Sequence, residues 1–167
     1  KELKQVSELL RQSPERDKLM QRGRELCAHT FVFDHPWDME RCLTPHTMET
    51  MNWNQVFNDD EEWTFMLNRM DYWSALAKAA LISQDTRYLD QAKDFLLDWI
   101  EQHPRIEPSL STRTLDTGIR VVNMLECAML LEASEKLSDE ELTLILTSVE
   151  NQLAYLKANY IEKYTLS

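Results

Sequence analysis

Glycine is nearly missing from this sequence, with two residues in 167 beside five prolines. Both residues are poor inside helices, so their scarcity, against many Leu, Ala, Glu, Gln, Lys and Met, points to helices joined by short connections and away from a turn-rich sheet protein. Cysteine is also scarce. Cys27, Cys42 and Cys127 form no metal-ligand spacing, and an odd number cannot all pair within one chain, so all three are read as small buried hydrophobes. No apolar run is long enough to suggest a membrane span, and no basic then apolar leader opens the chain. The first residue is not Met, so a leader processed away remains compatible with the sequence and the compartment stays open. Positive charge is in deficit: 18 Lys and Arg against 29 Asp and Glu give a net charge of −11. That balance repels nucleic acid and anionic membrane surfaces, although a local basic cluster can still hold an anion.

What is present is helical periodicity and a hydrophobic share of 43%, enough for a real core in one domain-sized chain. Residues 1–11 suit a short helix, and Ser13 with Pro14 suits the start of a second one reaching about Ala28. From His29 to Asp60 the period is lost, and a stretch this long without a period is often functional. Residues 61–81, "EEWTFMLNRMDYWSALAKAAL", read as one long helix. Trp63, Met66, Met70, Trp73, Ala77 and Leu81 lie on its core face, and Thr64, Asn68, Asp71, Ser74 and Lys78 on its wetter face. After "SQDT", where Asp85 can cap, the residues Tyr88, Leu89, Ala92, Phe95, Leu96, Trp99 and Ile100 share one helical face until Pro104. A helix from about Thr114 to Glu132 places Leu115, Ile119, Val122, Leu125 and Met129 inward. The last helix opens with Ser138 and Glu141 at capping-box spacing and continues through Leu142, Ile145, Val149, Leu153 and Leu156. Short connections imply antiparallel neighbours. The expected fold is therefore all-α, with stacked antiparallel helical hairpins in a curved or closing array and no regular repeat signature.

Two charges sit where the 61–81 helix should keep apolar groups: Glu62 and Arg69 fall inside its core arc. A charge there is costly unless paired, so each needs an acid or base from another helix, a wet groove or a ligand. Arg113, Asp116, Arg120 and Asn123 form a second polar line, read as a solvated face whose Arg and Asp support each other at helical spacing. Trp63, Trp73 and Trp99 occupy packing positions. Trp37 and Trp53 lie among Asp34, His35, Asp38, Asn52 and Asn54, where an indole can stack on a sugar ring or anchor the loop.

The segments "FVFDHPWDM", "MNWNQVFNDDEEWTFMLNRMDYWSALAKAALISQDTRYLDQAKDFLLDWIEQHP" and "STRTLDTGIRVVNML", in that order over roughly residues 30–130, resemble the N-terminal domain of the heparinase II/III family of polysaccharide lyases. The resemblance implies that residues 1–167 are the N-terminal portion of an incomplete α/α toroid. The rest of the toroid and a β-sandwich are expected as remaining domains of the same polypeptide. It implies an acidic polysaccharide substrate containing uronic acid, such as heparan sulfate, cleaved by β-elimination. That reaction needs a neutralised carboxylate, a base for the α-proton and an acid for the leaving oxygen. The family's Asn, Tyr and His for these tasks are expected beyond this chain; Asn159 and Tyr160 do not match their motifs. Asn68 and Arg69 match the family's L-N-R segment, and Arg113 and Arg120 match its W-R and G-I-R positions, which makes these four the expected substrate-binding residues. Thr112 stands where the family usually has Trp. No cofactor or metal is implied, and the family setting is periplasmic or extracellular. Two other readings remain open: a helical toroid glycoside hydrolase drawing its carboxylates from Asp34, Asp38, Asp59 and Glu62, and a noncatalytic interaction module.

Overall fold

A computed structural model describes residues 2–34 and 42–159. Among the described residues, seven helices and one small sheet follow in the order α1 (Glu2–Gln12), α2 (Arg16–Cys27), β1 (Thr30–Phe33), β2 (Cys42–Thr47), α3 (Glu61–Arg69), α4 (Trp73–Ser83), α5 (Arg87–Gln102), α6 (Thr114–Ala133) and α7 (Asp139–Asn159). A 3₁₀ turn, Leu110–Thr112, precedes α6. The all-α expectation holds. α4 packs against α1, α2 and α5, while α6 packs against α3 and α7. Among the described residues no helix is long and apolar enough to cross a membrane.

α5 follows its period: Leu89, Ala92, Phe95, Leu96 and Trp99 are buried, and the helix stops before Pro104. Around Phe95 gather Phe31, Trp53 and Tyr72, with edge-to-face or tilted rings 5.2–6.4 Å apart. The capping box of α7 forms, the Glu141 amide donating to Ser138 Oγ at 3.1 Å and the Ser138 amide to Glu141 Oε2 at 3.4 Å. α2 and α4 meet at Gly23, where an added Cβ would lie 2.6 Å from that of Ala79.

Several elements depart from the sequence reading. The second helix starts at Arg16 because Ser13 closes a local turn instead, its hydroxyl accepting the Glu15 amide at 3.2 Å. Within the stretch read as irregular, β1 and β2 pair antiparallel, with Thr30 opposite Thr47 and Phe33 opposite Cys42. The helix expected over 61–81 is two helices. Met70 adopts a left-handed conformation, φ 57° and ψ 30°, and ends α3. The broken end has partners for its last carbonyls: Tyr72 Oη donates to Leu67 O at 3.0 Å, Arg120 Nη1 to Asn68 O at 2.9 Å and Asn123 Nδ2 to Arg69 O at 2.9 Å. Thr64 and Asn68, placed on the wetter face, are fully buried.

α6 is turned relative to its expected orientation. Leu115, Val122 and Met129 are exposed, while Asp116, Thr117 and Arg120 are fully buried beside Val121, Met124, Cys127 and Leu131. Its inner face has to meet the carbonyls at the end of α3, so polar groups point inward there. Leu153 of α7 is likewise exposed. Cys127 is buried as expected, whereas Cys27 is exposed; the Cys42 side chain lies outside the described residues, as do His35, Trp37, Asp38 and Tyr160.

Candidate functional site

The polar centre of the molecule lies where the last turn of α3 meets the first half of α6. Asp116, in the first turn of α6, is fully buried between two arginines. Arg69 Nε donates to Asp116 Oδ1 at 2.8 Å, and Arg113 donates through Nε to Oδ2 at 2.5 Å and through Nη2 to Oδ1 at 3.2 Å. One carboxylate thus orients two guanidinium groups, one of them through the two-point geometry that makes arginine pairs directional. This answers the charge problem in α3: Arg69 pairs with Asp116, and Glu62 pairs with Arg113, its Oε1 being 3.5 Å from Nη1. Arg113 also lies over the Phe65 ring, 3.5 Å from its centroid. Desolvation lowers the Arg113 pKa, but its hydrogen bond to Asp116 and the charges of Asp116 and Glu62 outweigh it and leave the pKa raised.

The two arginines are the partly exposed members of the cluster. Arg69 is 18% exposed and Arg113 34%. Beyond Asp116, Arg69 has Met66 Sδ as its partner, 3.0 Å from Nη1.

Behind them lies a fully buried hub. Arg120 donates from Nε to Gln152 Oε1 at 2.8 Å, from Nη1 to Ser111 O at 2.8 Å and Asn68 O at 2.9 Å, and from Nη2 to Thr117 Oγ1 at 2.9 Å. Its guanidinium lies 4.0 Å above the Trp99 ring. Burial pulls its pKa down to about 9, against the raising charges of Asp116 and Tyr72, so it stays positive at neutral pH. The carbonyl end of α3, the negative pole of that helix, contributes to balancing this charge. Asn68 is equally occupied: Nδ2 donates to Trp53 O at 2.7 Å and Thr64 O at 2.8 Å, and Oδ1 accepts Trp99 Nε1 at 3.0 Å. Of the four residues singled out from the sequence, Arg69 and Arg113 therefore reach the surface, while Asn68 and Arg120 are 0% exposed and bond to the protein's own groups.

Further residues complete the site. His103 stacks on Trp99 at 3.9 Å, its Nδ1 2.7 Å from Trp99 O and its Nε2 2.7 Å from Ser111 Oγ. A carbonyl only accepts, so the proton is assigned to Nδ1 and Nε2 accepts the Ser111 hydroxyl. Burial lowers the His103 pKa and keeps the ring neutral. Asn54 Oδ1 accepts the Ser111 amide at 2.9 Å, and Trp53 is fully buried with Nε1 donating to Asp98 at 2.8 Å, an anchor for its loop. Gln152, Ser111 and Thr117 were not singled out from the sequence, since nothing in the local pattern marks a partner 32 residues away such as Gln152.

Of the other acids proposed from the sequence, Asp34 and Asp59 lie within the described residues and Asp38 outside them. Asp34 pairs with Arg22 at 3.3 Å and Lys18 at 3.7 Å, and Asp59 is exposed in a left-handed turn. Among the described residues no three His, Cys, Asp or Glu side chains gather as metal ligands. A broad groove also runs between α1, α4 and the end of α6, lined by Leu3, Ser7, Ala80, Leu81, Leu89 and Leu130. Its lining mixes aliphatic side chains with polar and charged ones such as Lys4, Glu8 and Arg11, and shares no residue with the arginine cluster.

No curated protein and no solved structure matches the chain. Residues 6–165 match the family model described as "Heparinase II/III N-terminus". That match runs through every helix from α2 to α7 and includes Asn68, Arg69, Arg113 and Arg120, and the chain belongs to the heparinase II/III N-terminal family.

Proposed function

We propose that this chain is the N-terminal part of the helical toroid of a polysaccharide lyase, and that Arg69 and Arg113 engage a uronate carboxylate of its substrate. The observation that carries the reading is the pair of partly exposed guanidinium groups oriented by buried Asp116. A carboxylate is the natural ligand of such groups, because a guanidinium donates charge-assisted N–H bonds to it. In this reading Asn68 and Arg120 do not touch the sugar. They fix the end of α3 and the start of α6, and so set where the two outer arginines point.

In β-elimination a base removes the proton α to the carboxylate, the electron pair forms a carbon–carbon double bond, and the β C–O bond breaks as an acid protonates the leaving oxygen. Positive charge on the carboxylate acidifies the α-proton, and donors placed in advance on the developing charge are the largest contribution such a site makes. Arg69 and Arg113 serve binding and orientation; the proton-transfer groups belong to other parts of the polypeptide. The exposed stripe Leu115, Val122 and Met129 of α6 is the face on which further toroid helices pack.

The test is release of unsaturated uronate, followed by ultraviolet absorbance, from a panel of acidic polysaccharides. The whole gene product is expected to release it, and this chain alone is expected to bind without turnover. Silence of the whole product across the panel overturns the lyase reading, and turnover by this chain overturns the placement of the proton-transfer groups.

A further inference from the structure

We propose that Glu62 is a built-in competitor for the substrate's carboxylate and thereby sets how acidic a polymer the two arginines accept. The inference rests on the reading just given. Arg113 is held by two acids of very different standing. Asp116 is fully buried and engages both Nε and Nη2, at 2.5 Å and 3.2 Å. Glu62 is 44% exposed and reaches only Nη1, at 3.5 Å, within ion-pair range but longer than a good charge-assisted hydrogen bond.

The physical difference is exchangeability. Moving Asp116 away would strand a buried carboxylate and take from two guanidinium groups the partner that orients them. Moving Glu62 away returns a half-exposed carboxylate to solvent at the first turn of α3, where the positive pole of the helix still favours it. The face of the Arg113 guanidinium is covered by Phe65, so a ligand carboxylate approaches its edge at Nη1, where Glu62 already sits. The group that leaves and the group that arrives are chemically the same.

Charge counting gives the selectivity. Arg69 and Arg113 against Asp116 and Glu62 sum to zero; with Glu62 swung out, one positive charge faces the ligand. One uronate matches that charge. A densely sulfated chain brings several negative charges to that single positive charge, with the acidic run Asp59, Asp60 and Glu61 immediately before Glu62 in the chain, and is repelled. The structure thus points to a uronic polysaccharide with little sulfate.

The experiment titrates the chain, as wild type and as Glu62→Gln, with three oligosaccharides of equal length: unsulfated uronate-containing, densely sulfated and neutral. Binding is followed by NMR, and a thermal melt confirms that each variant is folded. Glutamine keeps the size and removes the competing charge, so the unsulfated ligand is expected to bind about two- to fivefold more tightly, the scale of one exposed ion pair. The sulfated ligand should gain by a larger factor and the neutral one should not change. Equal or weaker uronate binding by folded Glu62→Gln, with the wild type binding normally, overturns the competitor role and leaves the arginine reading standing. Absence of uronate binding by both folded proteins overturns the arginine reading, and the competitor with it.

Discussion

Replacing Arg120 with methionine removes the hub of the polar centre while keeping a long unbranched side chain. Three carbonyl oxygens, Asn68 O, Ser111 O and Gln152 Oε1, lose their donor in a place with no solvent access. Stranding a buried acceptor costs about 1–3 kcal/mol, so the gross loss is about 3–9 kcal/mol. Against it stands the desolvation of the guanidinium, several kcal/mol for a buried ion, which methionine abolishes. Taking the middle of the first range and about 3 kcal/mol for the second leaves a net loss of about 3 kcal/mol. For a chain of this size that lowers the melting midpoint by about 6–12 °C. Circular dichroism on heating and in urea reads it directly, the urea slope staying constant if the same surface unfolds. Arg120→Lys separates geometry from charge: lysine keeps the desolvation but has no planar fork, so it should be no more stable than methionine. A methionine variant within about 1 kcal/mol of wild type, or a lysine variant indistinguishable from wild type, refutes the account of Arg120 as a fork joining α3, α6 and α7.

Arg113→Gln should abolish uronate binding and also lower the melting midpoint, because fully buried Asp116 keeps only Arg69 as its cation; an oligosaccharide titration beside a thermal melt checks both, and unchanged binding by the folded variant removes Arg113 from the site. Gly23→Ala forces a Cβ to 2.6 Å from Ala79, so α2 and α4 must separate; a loss of about 1–3 kcal/mol in urea is expected, and no loss shows that the helices can shift freely. His103 has its pKa lowered from 6.5 by burial, so the unfolded chain binds its proton first. Its contribution is therefore present in full above the ordinary histidine pKa and is lost as pH falls through and below it; urea midpoints across that range should show a step that His103→Gln flattens. Val122→Glu lies on the exposed stripe of α6 and should leave this chain's melt unchanged while destabilising the whole gene product; a large effect on the chain alone contradicts the exposure.

The helical class, the packing face of α5 and the cap of α7 were legible because each depends on local period and capping chemistry. The need of Arg69 for an acid such as Asp116 was legible too, since a charge within an apolar arc has few tolerable surroundings. The orientation of α6 was not. Hydropathy turns Leu115, Val122 and Met129 inward, but the inner face of this helix answers carbonyls 52 and 54 residues away, and no local pattern reports such distant acceptors. The small sheet was hidden for another reason: β1 has only four residues and β2 carries Pro45, which lacks an amide for the ladder. For the site itself, the sequence named the outer arginines together with two residues that lie behind them. Sharing a helix face with a ligand-facing group does not separate contact from support.

The break at Met70 also has a consequence in time. Residues 61–81 carry an unbroken helical period, and the partners that cap the end of α3, Arg120 and Asn123, come 52 and 54 residues after the carbonyls they serve. Synthesis proceeds at about 5–20 residues per second, so those carbonyls exist for about 3–10 seconds before their donors are made. During that interval a straight helix through Met70 would satisfy these two carbonyls locally. The bend is thus expected to be acquired late, when α6 arrives and exchanges intrahelical bonds for its own side chains, and the two outer arginines to come together in the same step.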